Sequence, residues 1–420
     1  MNQRLRAAAI AAVVLSSVSR QSSAAEPAVP CTQTVTRSNV VACVLAASPA
    51  LQEELASQRA AAGRREAVRP FLPSNPVIGG SLASRTALPE QSLNWSLSLA
   101  QELEIAGQRG LRLDVADNEV TAQEWQVAVA RAAIAEEAWT AYFRVVAARE
   151  RLTLASKLES ATAAVAATVK GMAAEGLSSE LDADVADAAA TRAAGERVEA
   201  KAAVDTAQAH LAALLGTAST VEGPLEPLAS SSSASSAPPA ARPELHSLQK
   251  LRAALRARVE VLRRSRAPNP TVSLFAQNDG FNERVLGVGL SVPIPLPQPV
   301  GRTLRGEITE AEALADKVDA TLDRLQRELD AALAVARADY EAGLARRALY
   351  PPERLARATG RLETIGQQVK AGRFTVRDAL VGQQALIEQL KADIDIREAL
   401  CLASVRLTRA AGLSLEGAAP

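Results

Sequence analysis

Aromatic residues make up only 3% of the 420 residues, although hydrophobic residues reach 48%, because Ala supplies most of the apolar count. Ala-rich helices are expected to pack in narrow seams and not around a thick globular core. Two His and three Cys leave little material for a metal centre or a nucleophilic triad. His210 falls in a helical stretch and His246 near a Ser/Pro-rich one, and neither sits in a metal-ligand or Ser/Cys constellation. No enzyme, cofactor or metal site is therefore expected. Charge of one sign is also lacking. Lys+Arg and Asp+Glu balance at 47 each, so no strong field draws nucleic acid, and the scattered acids read as solvated helix faces. Beyond the N-terminus no stretch approaches the ~20 continuous apolar residues of a membrane-spanning helix.

What is there begins with an export signal over residues 1–25. Arg4 and Arg6 precede an apolar run, Ala7 to Val18, and Ser23-Ala24-Ala25 makes a small-x-small cleavage site. Cys31 and Cys43 follow in a compartment that permits a disulfide. Cys401, in a helical stretch, reads as a small buried apolar residue.

The rest of the chain is written twice. Asn75-Pro76 recurs as Asn269-Pro270, 194 positions on (269 − 75), and Gly107 recurs as Gly301 (301 − 107). Gly176 and Gly216 recur as Gly372 and Gly412, each 196 on. A repeat this long is not a solenoid unit; it describes two similar half-chains, each strand–strand–long helix–helix. The first half occupies 26–216 and the second 244–413, with a Ser/Pro-rich linker at 217–243 and a tail at 414–420.

A helix is expected over 38–70, capped by Ser38 and ended by Pro70. Strands are expected at Val77–Arg85 and Ser92–Ala100, and again at Thr271–Gln277 and Leu286–Ile294. In the second, Leu93, Trp95, Leu97 and Leu99 alternate with Ser92, Asn94, Ser96 and Ser98; in the last, Leu286, Val288, Leu290, Val292 and Ile294 share a face. Strands of this length can cross a bilayer at a tilt.

From Gln108 to about Ala174 nothing breaks a helix, and its 67 residues would span about 100 Å. Residues 302–371 mirror it, with one interruption at Pro351-Pro352. Leu380, Ile387, Ile394 and Cys401 recur every seven residues, a coiled-coil-like seam. Each long helix turns back at a similar tip, at Gly176-Leu177-Ser178-Ser179 and at Gly372-Arg373-Phe374-Thr375. There Gly ends one helix and Ser179 or Thr375 caps the next, with Asp182 or Asp378 three residues on as a capping acid.

The duplication, the paired Asn-Pro, and the passages LAQELEIAGQRGLRLDVADNEV (99–120) and SVPIPLPQPVGRTLRGEITEAEA (291–313) resemble the TolC-type outer-membrane efflux proteins. The Gln101/Glu102/Gly107/Arg109 version looks most like the heavy-metal, CzcC-like branch. The long linker and Pro351-Pro352 depart from the pattern. The resemblance implies a mainly α fold with a small membrane β part, in which a homotrimer pools strands into a β-barrel above a periplasmic α-barrel tunnel. It implies a passive conduit served by a periplasmic adaptor protein and an inner-membrane efflux pump of RND or ABC type, carrying a drug or a metal cation. Leu93, Trp95, Leu97, Leu99, Leu286, Val288, Leu290 and Val292 would face outer-membrane lipid, and Ser92, Asn94, Ser96 and Ser98 a wet lumen. Gly176, Leu177, Ser178, Gly372, Arg373, Phe374 and Thr375 would dock the adaptor, and Asp182 and Asp378 would ring the aperture. Acylation of Cys31, known among related proteins, is the alternative to a disulfide with Cys43. The competing class is a periplasmic coiled-coil adaptor or scaffold, which should carry one hairpin between β-rich domains instead of two similar halves.

Overall fold

The computed structural model describes residues 34–87, 90–229, 242–278, 283–296, 300–301 and 303–416. The export signal and Cys31 lie outside the described residues. The first helical stretch is two helices and not one: α1 (Val40–Ala47) and α2 (Pro49–Val68) meet at a 59° bend. Pro49 forces the break, since it lacks an N–H and suits only a first helical turn. Ser48 caps α2 by accepting from Leu51 N at 3.3 Å. Asn39, not Ser38, stands at the start of α1.

Strands β2 (Val77–Ala87) and β3 (Glu90–Glu102) form a hairpin, and β5 (Thr271–Asn278) and β6 (Arg284–Ser291) form its counterpart. The two join through β3 and β5 into one antiparallel sheet of order β2-β3-β5-β6. β6 stops at Ser291, before Val292 and Ile294. Its partner β5 begins at Thr271, opposite Ser291, so no strand remains alongside; Pro293 and Pro295 follow. The expected fourth and fifth residues of that face therefore lie beyond the strand.

Helix α3 runs from Gln108 to Ala174, 67 residues, as the sequence predicts. Gly107 opens it in a left-handed conformation (φ 75°). Gln108, almost fully buried, donates to Asn269 Oδ1 at 2.9 Å, and Asn269 donates to Glu102 Oε1 at 2.8 Å. The second Asn-Pro thus fastens the strand-to-helix passage of the first half. Helix α4 (Glu180–Leu215) returns alongside α3.

In the second half, α5 (Pro243–Arg264) opens on Pro243, which lies 194 residues after Pro49 (243 − 49) and occupies the same place at a helix start. The long helix is α6 (Arg305–Ala348) and α7 (Pro352–Lys370), split at the proline pair. Gly301 does not sit at its start. Leu304 takes the left-handed position (φ 55°), the one non-glycine with positive φ among the described residues. Helix α8 (Val376–Ala410) completes the fold. Ile387, Ile394 and Cys401 are buried along it and Leu380 packs against their neighbours, so the seven-residue seam forms.

One expectation fails at mid-height, where α3 builds a thick core. Trp139, Tyr142 and Phe143 are buried there, with ring centroids 5.5–5.8 Å apart. They pack with α1, with the end of α4 and with residues of the linker itself. Linker residues Thr220–Val221 form β4, parallel to β1 (Thr34–Val35), and Leu225 and Leu228 are buried. The tail enters too: Trp139 Nε1 donates to Leu415 O at 3.1 Å. Cys43 is buried in this core and disulfide-bonded. Cys401 is free and fully buried, and that burial pushes its thiol up to about 12.

Candidate functional site

The two tips are built alike. After α3, Leu177 N donates to Met172 O at 2.8 Å and Gly176 N to Ala173 O at 3.0 Å; after α7, Arg373 N donates to Gln368 O at 3.0 Å and Gly372 N to Val369 O at 2.9 Å. Both glycines have positive φ (73° and 68°), the Schellman arrangement that satisfies the last carbonyls of a helix. Ser179 and Thr375 accept from Asp182 N and Asp378 N, each at 3.1 Å. Asp182 answers by accepting from Ser179 N and from the Ser178 hydroxyl; Asp378 accepts from the Thr375 hydroxyl at 2.7 Å. These bonds, led by the Ser179 side chain, hold the Asp182 carboxyl below its ordinary range. Both acids are thus engaged as caps.

Apolar side chains crown the tips. Leu177 and Phe374 are exposed, so Leu177 does not fold over its own helix end. The sequence reading missed Leu181 and Val185, which continue from Leu177 at steps of four along α4, and Val381 on α8; all three are exposed. Their i, i+4 spacing was the available signal. Phe374 lines a groove of about 550 Å³ with Ile365, Gln368 and Asp378. A second cavity of about 350 Å³ lies between α3, α4 and α8, lined by Leu158, Val185, Val381 and Ile387. Gln383 also lines it, buried, with an Nε2 that has no hydrogen-bond partner. Ion pairs brace the helices above: Lys391–Glu196 and Arg197–Glu159 at 2.6 Å, and Arg397 joining Glu150 to Asp393, which also meets Arg347.

At the other end the sheet has two unlike faces. Strand register places Leu82 opposite Trp95, Leu97 opposite Ala276, Leu99 opposite both Ile78 and Leu274, and Leu274 opposite Val288. One face therefore carries Ile78, Leu82, Leu93, Trp95, Leu97, Leu99, Leu274, Leu286, Val288 and Leu290, all exposed. The other carries Asn94, Ser96, Ser98, Ser273 and Gln277, with Phe275 lying across Gly287, where a Cβ would overlap its ring. Among the described residues nothing covers the apolar face, and β2 and β6 have one neighbour each.

His246 stacks on Trp125 with centroids 4.6 Å apart, and no group of three or more His, Cys, Asp or Glu able to hold a metal ion occurs among the described residues.

A sheet that is open at both edges, bare and apolar on one face, and continuous with helices of this length has the protomer fold of the TolC-type outer-membrane channels. Comparison with known proteins agrees. The outer membrane efflux protein family profile matches residues 41–217. The cobalt-zinc-cadmium resistance protein CzcC of Cupriavidus metallidurans is 29% identical over 307 residues, which cover 68% of this chain and 69% of that protein. Among solved structures, CusC superposes with a TM-score of 0.75 at 14% identity, covering 90% of this chain and 92% of that one. VceC of Vibrio cholerae superposes with a TM-score of 0.72 at 17% identity, covering 90% and 96%. Residues 41–217 thus match the outer membrane efflux protein family, the fold is that of the TolC-type channels, and the sequence likeness lies on the CzcC side.

Proposed function

We propose that this chain, exported by the signal at residues 1–25, is the outer-membrane channel of a tripartite efflux system, a passive conduit from periplasm to exterior. The observation that carries this is the four-stranded sheet with two free edges. Backbone groups at a lipid-facing edge must be paired, and spanning sheets are closed barrels. Copies of the chain therefore pool their strands, and the likeness to the TolC-type channels supports three of them. Leu93, Trp95, Leu97, Leu99, Leu286, Val288 and Leu290 face lipid, Val292 extends that face beyond β6, and Ser92, Asn94, Ser96 and Ser98 face water.

The helical part hangs into the periplasm. Gly176, Leu177, Ser178, Gly372, Arg373, Phe374 and Thr375 dock the periplasmic adaptor, since apolar side chains bare at a tip mark a partner surface. An inner-membrane pump of RND or ABC type supplies the energy. Asp182 and Asp378, three copies each, place carboxylates near the closed end, where such rings favour cations. The likeness to CzcC supports a divalent metal cation as cargo.

Native mass measurement in mild detergent tests the assembly; a monomer would refute it. Leu177→Ser with Phe374→Ser should leave the trimer intact and weaken adaptor binding and efflux. Disruption of the gene should raise sensitivity to cobalt, zinc or cadmium, and unchanged tolerance of all three would remove the metal reading while leaving the channel.

A further inference from the structure

The hydrogen-bond directions of the sheet fix how a second copy must join it. Leu103 N donates to Pro270 O at 2.9 Å, one step beyond the Glu102–Thr271 pair. Bonded and non-bonded pairs alternate along an antiparallel seam, so β5 bonds to β3 through its even-numbered residues. Its odd-numbered residues Thr271, Ser273, Phe275 and Gln277 then bond to Ser291, Gly289, Gly287 and Val285 of β6. The N–H and C=O of Leu286, Val288 and Leu290 are left pointing outward. By the same alternation β3 bonds to β2 through the odd-numbered Val77, Gly79, Ser81 and Ala83. Ile78, Gly80 and Leu82 are left pointing outward from the other edge.

Both free edges therefore present even-numbered residues, and on both edges those residues carry the apolar face. Any β6–β2 seam between copies must pair even with even, because a slip of one residue would misalign the bonds and turn one strand's face over. The internal repeat selects one register among those that remain. Within the chain, β3 meets β5 with Glu102 opposite Thr271. Hairpin registers make Ala100, opposite Val77, the equivalent of Ser291, opposite Thr271. Carrying the β3–β5 seam across by these equivalences sets Ser291 opposite Gly79, Leu290 opposite Gly80, Val288 opposite Leu82 and Val292 opposite Ile78.

We infer that the seam between copies runs in this register, with Val292 and Ile294 prolonging β6 along the neighbour. The proline alternation after Ser291 fits it. Pro293 and Pro295 are odd-numbered, face the side where β5 has ended, and lack an N–H that no ladder there would use. Val292 and Ile294 keep the N–H groups that face the second copy. The inference rests on the shared-barrel reading and adds its register.

Paired cysteines test it in the full chain. β2 and β6 are the outer strands of one sheet, three strand spacings or about 14 Å apart, so a disulfide between them within one chain is excluded. Ser291→Cys is combined in turn with Val77→Cys, Gly79→Cys and Ser81→Cys, and oxidised membranes are run without reductant. The Gly79→Cys pair should give bands at two and three times the monomer mass that are lost on reduction, and the other two pairs should give weaker ones. Dominant cross-linking through Val77→Cys or Ser81→Cys would overturn the register. A detergent-stable trimer that cross-links through none of the three would place the seam elsewhere. A monomer in all variants and in the parent protein would instead remove the shared barrel.

Discussion

In the first half the chain climbs from Gln108 to Ala174 as one helix; in the second the same climb is cut into pieces of 44 and 19 residues. The tips differ in the same way. Leu177 and Leu181 stand on the first where Arg373 and Arg377, 196 residues later, stand on the second. Yet Gly176 and Gly372 hold the same left-handed turn, and Ser179 and Thr375 accept the same backbone bond. The positions that set direction are kept between the halves, while those that face outward or fill the core diverge. Direction is fixed by φ and by unsatisfied helix-end groups, for which few residue types will serve; faces answer to whatever lies opposite.

The comparison breaks most readily in the core. Trp139→Ala empties the aromatic cluster and should cost about 3–5 kcal/mol. Tyr340→Ala, in the smaller second-half cluster of Leu333, Ala336 and Leu407, should cost less. Equal losses in thermal stability would mean that the halves share the load evenly. Next, Leu97→Arg should impair membrane assembly by about 2–4 kcal/mol more than Ser96→Arg, the penalty for charge on the lipid face at mid-bilayer. Comparable trimer yields would show that the faces are reversed. Smaller still, Gly176→Ala and Gly372→Ala each force a side chain into the left-handed region, at about 1–2 kcal/mol. The two should match, and a clear difference would mean that the tips are not built alike. Smallest is the Asp182 cap. Its folded pKa lies below the unfolded one, so its contribution is present above the ordinary carboxylate range and is lost as pH falls through the lower folded value. Asp182→Asn should therefore lower the melting temperature slightly at pH 7 and not at all in strong acid; a shift that persists in acid would argue against a carboxylate cap.

Much of this was legible because it rests on punctuation. The ends of α3, both tips and the apolar face of β3 follow from Gly, Ser, Asp and period-two alternation. The break at Pro49 was equally visible in principle, as the partner of Pro243, but an apolar pattern continuing across it hid the bend. The mid-height core was not legible. Val35, Leu225, Leu228 and Leu415 come from short segments with no periodicity, and only the fold brings them onto Trp139 and Tyr142. Leu304 in place of Gly301 was likewise hidden, since a left-handed Leu leaves no compositional trace.

The two bare strand edges also have a consequence in time. The β3–β5 seam joins strands of one chain, so its parts meet at the high effective concentration of a tether. The proposed β6–β2 seam between copies has no tether and would wait on diffusion. Until a neighbour arrives, each exported chain carries two unpaired edges and an uncovered apolar sheet, which are the features that template aggregation. On the proposed shared barrel, the slow, concentration-dependent step in making this protein is therefore the second seam. Holding factors that shield a sheet edge should influence its yield far more than they influence the stability of the finished channel.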